Sequence, residues 1–149
     1  MADQMLKEAQ QSSAAEAFLK LLEIMAKLRD PQGGCPWDLE QSFRTIVQHT
    51  IEEAYEVADA IEQDDLQSLK SELGDLLFQT VFYAQMAREA GSFDMAEVIR
   101  GLNDKMIKRH PHVFGQVSIA DAEQQTHAWE KQKAEERAAE AAAKGLQPS

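Results

Sequence analysis

The chain is poor in most of the features that would tie it to a special environment. It has one cysteine, Cys35, so no disulfide can close within it, which suits a reducing cytoplasm. No apolar run approaches the ~20 residues that span a bilayer, and membrane insertion is not expected. The opening stretch MADQMLKEAQQSSAAEAF carries acidic residues and lacks the basic segment followed by a compact apolar one that marks a secretory signal. Positive charge is scarce: 15 Lys and Arg stand against 26 Asp and Glu, a net charge of −11. A protein that grips nucleic-acid phosphates needs a basic surface, so no nucleic acid polymer is expected as a partner. There is no GxSxG and no P-loop, since Gly33-Gly34 is too short and is not followed by GK[ST]. Cys35 has no base partner beside it, so no protein nucleophile is in evidence. Strand-like alternation and solenoid-type internal repeats are missing too.

What is present is helical. At 149 residues, 44% hydrophobic and 28% charged, the chain suits one soluble domain able to bury roughly two-thirds of its unfolded surface. Ser13-Ala-Ala-Glu16 has the pattern of a capping box opening a first helix to about Arg29. The stretch Asp30 to Trp37, with two prolines and two glycines, breaks it. A second helix is expected from Asp38 to about Gln63, and a third from Leu66 to Ala90, closed by Gly91 in a left-handed cap. A fourth opens at Asp94-Met-Ala-Glu97 and stops before Pro111, and a fifth starts near Ser118 to Asp121 and runs to Lys144. The expected organisation is a disordered tail over 1–12, a helical domain over 13–134, and a solvated helix end with a C-terminal tail over 135–149. The fold class is all-α, an antiparallel helix bundle.

Five carboxylates stand out against this background. On the second helix Glu53 and Glu56 lie one turn apart with Glu52 beside them, while Val47, Ile51, Ala54, Ala58 and Ile61 form a stripe nearly opposite. Taken alone, that is an amphipathic helix with a wet acidic face. The third helix is different, because from Leu73 to Met86 it is apolar almost all round and Glu72 and Asp75 project from its start. A short turn makes the two helices antiparallel neighbours, so the pairs Glu53/Glu56 and Glu72/Asp75 converge. Lys70 is the one cation nearby in sequence and cannot balance them. A hard divalent ion can, and oxygen-only donors favour Mg²⁺, with Mn²⁺ as a substitute.

EExxE, followed on the next helix by ELGD, with GCPWD before and RHPHVF after, resembles the MazG family of nucleoside triphosphate pyrophosphohydrolases within the all-α NTP pyrophosphatase superfamily. The resemblance runs from about Phe18 to Lys133. It implies Mg²⁺-dependent hydrolysis of a nucleoside triphosphate to the monophosphate and pyrophosphate. Carried onto this chain, the metal ligands are Glu53, Glu56, Glu72 and Asp75, and Glu52 is a further ligand or the group that activates water. Many members carry two such domains in tandem, whereas this sequence has one, most similar to the first.

Candidate substrate contacts lie further along. Lys105 and Arg109 share one face of the fourth helix, with Asn103 nearby, and Trp129 and Lys133 share a face of the last. An aromatic that stacks on a base and cations that meet phosphates suit the nucleotide that the resemblance implies. The all-round apolar third helix calls for cover from a second copy, giving a homodimer or higher homo-oligomer that dimerises through its helices. The alternative is a catalytically silent dimerisation or regulatory module that keeps the fold.

Overall fold

The computed structural model describes residues 2–116, 118 and 120–145, and among these the chain forms seven helices and no strand. They are α1 (Ala2–Leu28), α2 (Pro36–Glu40), α3 (Phe43–Glu62), α4 (Leu66–Glu89), α5 (Met95–Arg109), α6 (Pro111–Phe114) and α7 (Ala122–Ala143). The all-α class is as expected. Two compact units divide the chain, one up to Met95 and one from Ala96 onward.

In the first unit α1 does not begin at Ser13; its backbone is helical from Ala2, and Ser13 lies within it. The helix ends where Gly33 and Gly34 both donate to the carbonyl of Asp30, at 3.3 and 2.8 Å, folding the chain back on itself. Glycine is required at 34, because a Cβ there would stand 2.6 Å from the Asp30 carbonyl oxygen. The continuous helix expected from Asp38 to Gln63 is two helices. Gln41 is extended, and Ser42 restarts the chain with a reciprocal cap: its amide donates to Thr45 Oγ1 at 2.8 Å, and its Oγ accepts from the Thr45 amide at 3.4 Å. These bonds satisfy amides that a helix start otherwise leaves without partners, and a break is therefore favoured.

Asp64, at φ 54°, turns α3 into α4 in the left-handed region that Asp tolerates, and Asp65 caps α4 through bonds to the amide and hydroxyl of Ser68 at 3.1 and 2.7 Å. So short a turn lays α3 and α4 along each other, and α1 packs on α4. Met25, Ile46, Val81 and Phe82 are fully buried in this core, each contributing roughly 1.5–3 kcal/mol. Arg29 ties the elements together: Nη2 and Nε donate to Glu89 at 2.6 and 3.1 Å, Nη1 donates to the carbonyls of Asp38 and Gln41 at 2.6 and 3.2 Å, and the guanidinium lies 5.7 Å from the Phe82 ring centre. The hydrogen bond from Arg29 holds the Glu89 carboxyl below its ordinary range despite partial burial.

The apolar surfaces fall differently from expectation. Burial on α4 is confined to its second half, at Val81, Phe82, Ala84, Met86 and Ala87, while Leu73 and Leu77 are exposed. On α3 the stripe of Val47, Ile51 and Ile61 is also about half exposed. The helix pair thus keeps an uncovered apolar face.

In the second unit, α7 side chains satisfy the last carbonyls of α5. Trp129 Nε1 donates to the Arg109 carbonyl at 3.1 Å and Gln132 Nε2 to that of Lys108 at 2.7 Å. Asp121 caps α7 through the Gln124 amide, and Pro111 opens the short α6, a helix not expected between the fourth and fifth.

Candidate active site

The acidic group forms because the α3–α4 turn brings two local carboxylate pairs face to face. One donor atom each from Glu53, Glu72 and Asp75 lie within 4.8 Å of one another. Two helical turns along α4 from Asp75, the pairing of the helices is held by Tyr83, whose hydroxyl lies 2.7 Å from Thr50 Oγ1 and whose ring stacks on Phe43 at 6.1 Å. Glu53 is partly buried and its Oε2 is enclosed without a hydrogen-bond partner. Its carboxyl is pushed up to about 7, first by burial, then by the hydrogen bond it shares with Glu72 when it holds a proton, and then by the negative charge of Asp75, Glu72 and Glu56.

The five acids therefore separate into ranks. Glu53, Glu72 and Asp75 converge. Glu56, one turn beyond Glu53, is exposed and lines a small acidic cleft with Asp59, Asp65 and Glu72. Glu52 stands apart: its side chain is 63% exposed, with its carboxylate 3.9 Å from His49 Nδ1. The Trp37 ring meets His49 edge-on at 5.6 Å and is half exposed. Among the described residues no Lys or Arg forms an ion pair with Glu53, Glu72 or Asp75. Three oxygen donors, one enclosed oxygen without a partner, and no local cation together fit a hard divalent ion.

The residues proposed from spacing in the second unit have partners of their own. Arg109 is bound to Glu136 through Nη2 at 2.6 Å and Nε at 3.4 Å, a contact that raises its own affinity for a proton and lowers that of Glu136. Trp129, besides its bond to the Arg109 carbonyl, meets His110 edge-on at 5.2 Å. Lys133 pairs with Glu130 at 3.2 Å, while Asn103 and Lys105 are exposed on α5. Pattern reading passed over Gln79, whose Oε1 is enclosed without a partner. Its position one turn beyond Asp75 was the signal available.

Comparison with known proteins agrees with this architecture. The family model described as the MazG nucleotide pyrophosphohydrolase domain matches residues 41–114, which span α3, α4 and the five acids. The chain is 53% identical over 122 residues to the nucleoside triphosphate pyrophosphohydrolase of Escherichia coli strain K12, covering 82% of this chain and 46% of that protein. It is 47% identical over 120 residues to the nucleoside triphosphate pyrophosphohydrolase/pyrophosphatase MazG of Thermotoga maritima, covering 80% and 45%. In structure it is similar to the crystal structure of a mazG-related protein from Thermotoga maritima, with a TM-score of 0.62 and 30% identity over 76% of this chain and 96% of that one. The chain belongs to the MazG family. It spans less than half the length of the two curated relatives named here. Among the described residues no helix is long and apolar enough to cross a membrane.

Proposed function

We propose that the chain hydrolyses nucleoside triphosphates to nucleoside monophosphate and pyrophosphate, with Mg²⁺, or Mn²⁺ in its place, held by Glu53, Glu56, Glu72 and Asp75. The observation that carries this reading is the convergence of Glu53, Glu72 and Asp75 within 4.8 Å, with no Lys or Arg among the described residues forming an ion pair with them. Membership of the MazG family and the names of the bacterial relatives support it. When bound, the ion neutralises triphosphate charge and acidifies water.

The protein's own part is positioning and proton transfer. Glu53, whose Oε2 is enclosed without a partner, accepts a proton from the water that attacks phosphorus. Glu52, open to solvent beside His49, is a further ligand or a second group that activates water. Asn103, Lys105, Arg109, Trp129 and Lys133 serve substrate binding. Residues 13–134 make up the functional domain, which works in the cytoplasm as a homodimer or higher homo-oligomer joined through the apolar faces that α3 and α4 leave exposed.

Purified protein with Mg²⁺ and a panel of nucleoside triphosphates tests the reading through pyrophosphate release. Glu56→Gln preserves shape while removing a ligand charge, and its rate should fall roughly 100-fold or more. A wild-type protein that releases no pyrophosphate, or a Glu56→Gln variant as fast as wild type, would replace the enzyme with a silent dimerisation or regulatory module.

A further inference from the structure

We propose that Gln79 is a further catalytic residue of this site, one that orients the attacking water by accepting one of its hydrogens on Oε1 while Glu53 Oε2 accepts the other. The proposal rests on the hydrolase reading above.

The direction of the Gln79 side chain follows from its neighbours on α4. At ~100° per residue, Gln79 lies roughly 40° round the helix from both Asp75 and Tyr83. Both of those residues meet α3: Asp75 through the group it forms with Glu53, and Tyr83 through Thr50. Gln79 is therefore on the face that looks at α3, between the carboxylates and the Tyr83 contact.

The second observation concerns atoms. Gln79 Oε1 and Glu53 Oε2 are both enclosed without a hydrogen-bond partner, and both are acceptors. Enclosing an unpaired acceptor is unfavourable, and it marks a place where a donor belongs. The neighbouring hydroxyls do not supply one. Thr50 Oγ1 donates to the Ile46 carbonyl at 3.2 Å, which leaves Tyr83 to donate to Thr50 across their 2.7 Å contact. A single water placed between the two side chains carries one hydrogen for each acceptor.

Such a water is also a prepared nucleophile. With both hydrogens accepted, its lone pair points away from the two side chains. Its oxygen forms a bond to a phosphorus of the α–β bridge, and one of its protons passes to Glu53. The bridging P–O bond breaks with its electron pair remaining on the bridging oxygen of the leaving group. Gln79 gains and loses no proton.

Two variants test this, Gln79→Met, which keeps length and loses the acceptor, and Gln79→Glu, which keeps an accepting oxygen. Gln79→Met should lower kcat for pyrophosphate release roughly tenfold or more while leaving KM within about twofold. Its Mn²⁺ dissociation constant, measured by calorimetry without nucleotide, should also stay within about twofold of wild type. Its Tm in chelator should equal or exceed that of wild type, because an unpaired polar atom has been removed. Gln79→Glu should be faster than Gln79→Met, and because it adds a carboxylate beside Glu53 its Mn²⁺ dissociation constant should fall. A Gln79→Met variant with wild-type kcat overturns the proposal. So does one whose Mn²⁺ affinity or Tm falls together with kcat, which is the mark of a packing residue, and so does a Gln79→Glu variant as slow as Gln79→Met. If wild type is active and Gln79→Met is too, the role of Gln79 alone is lost; if wild type releases no pyrophosphate, the hydrolase reading falls and this proposal with it.

Discussion

Replacing Glu53 by Gln should make the metal-free protein more stable at pH 8 and less stable than wild type once Mg²⁺ is added. The Glu53 carboxyl rises from 4.5 to about 7 on folding. Below pH 4.5 it holds its proton in both folded and unfolded states and costs nothing. As the pH rises toward 7 the unfolded chain releases that proton before the folded one does, so ionisation draws the equilibrium toward unfolding, and the loss is complete above about 7. A rise of that size corresponds to ~3 kcal/mol when unscreened. Asp75 and Glu56, which supply part of it, are exposed, and solvent screening reduces the effect to about 1 kcal/mol. For a chain of this length that is roughly 2–4 °C in Tm. In chelator, Tm of wild type should decline between pH 4.5 and 7 more steeply than that of Glu53→Gln, with the variant ahead at pH 8. Millimolar Mg²⁺ should reverse the order, because an ion that binds the folded state raises its stability and the variant has lost a ligand charge. Parallel pH profiles for the two proteins in chelator, or a variant less stable than wild type at pH 8 without metal, would refute the placing of Glu53 in a repelling, partly enclosed carboxylate group.

Two other outcomes are expected. Arg29→Met should lower stability by about 2 kcal/mol, since it removes charge-assisted bonds to Glu89 and to two carbonyls of the α2 segment; thermal melts of wild type and variant measure this. The Glu89 part of that loss is present above pH 4.5 and disappears as the pH falls through its lowered pKa, so the gap between the two proteins should narrow in acid. Light scattering at micromolar concentration should report about twice the 16.7 kDa chain mass or more, and Ile51→Glu on the exposed stripe should shift it toward one chain; a wild-type monomer would remove the assembly part of the proposal.

Much of the architecture is local and could be read along the chain. Helices form where apolar residues recur at helical spacing, and they stop where Pro31, Gly33, Gly34 and Pro111 cannot continue them. The pairing of Glu53 with Glu56 and of Glu72 with Asp75 needs only the helical repeat, and the short turn at Asp64-Asp65 is enough to set the two helices antiparallel. That is why a carboxylate cluster could be expected from spacing, and Glu53, Glu72 and Asp75 do converge, with Glu52 and Glu56 outside that group. The break at Gln41 was local too, but the Ser42–Thr45 cap lacks the acidic or amide third residue of the usual box, and its signal was correspondingly weak.

What spacing left open was decided by contacts between residues distant in the chain. Five acids look equivalent on two helices; the packing of α3 on α4 joins Glu53, Glu72 and Asp75, leaves Glu52 outside, and lifts one carboxyl by burial that no single helix can impose. Arg109 and Trp129 present a free cation and an unoccupied aromatic to a reader of the sequence, yet across 27 residues Glu136 reaches the guanidinium, and the indole closes the end of α5. Arg29 carries no sign in its own neighbourhood that Glu89, 60 residues away, will meet it. Helical periodicity fixes which side chains share a face, because it repeats every few residues; which of those faces meet, and which carboxylate loses its water, depends on the packing of the whole unit and belongs to tertiary structure alone.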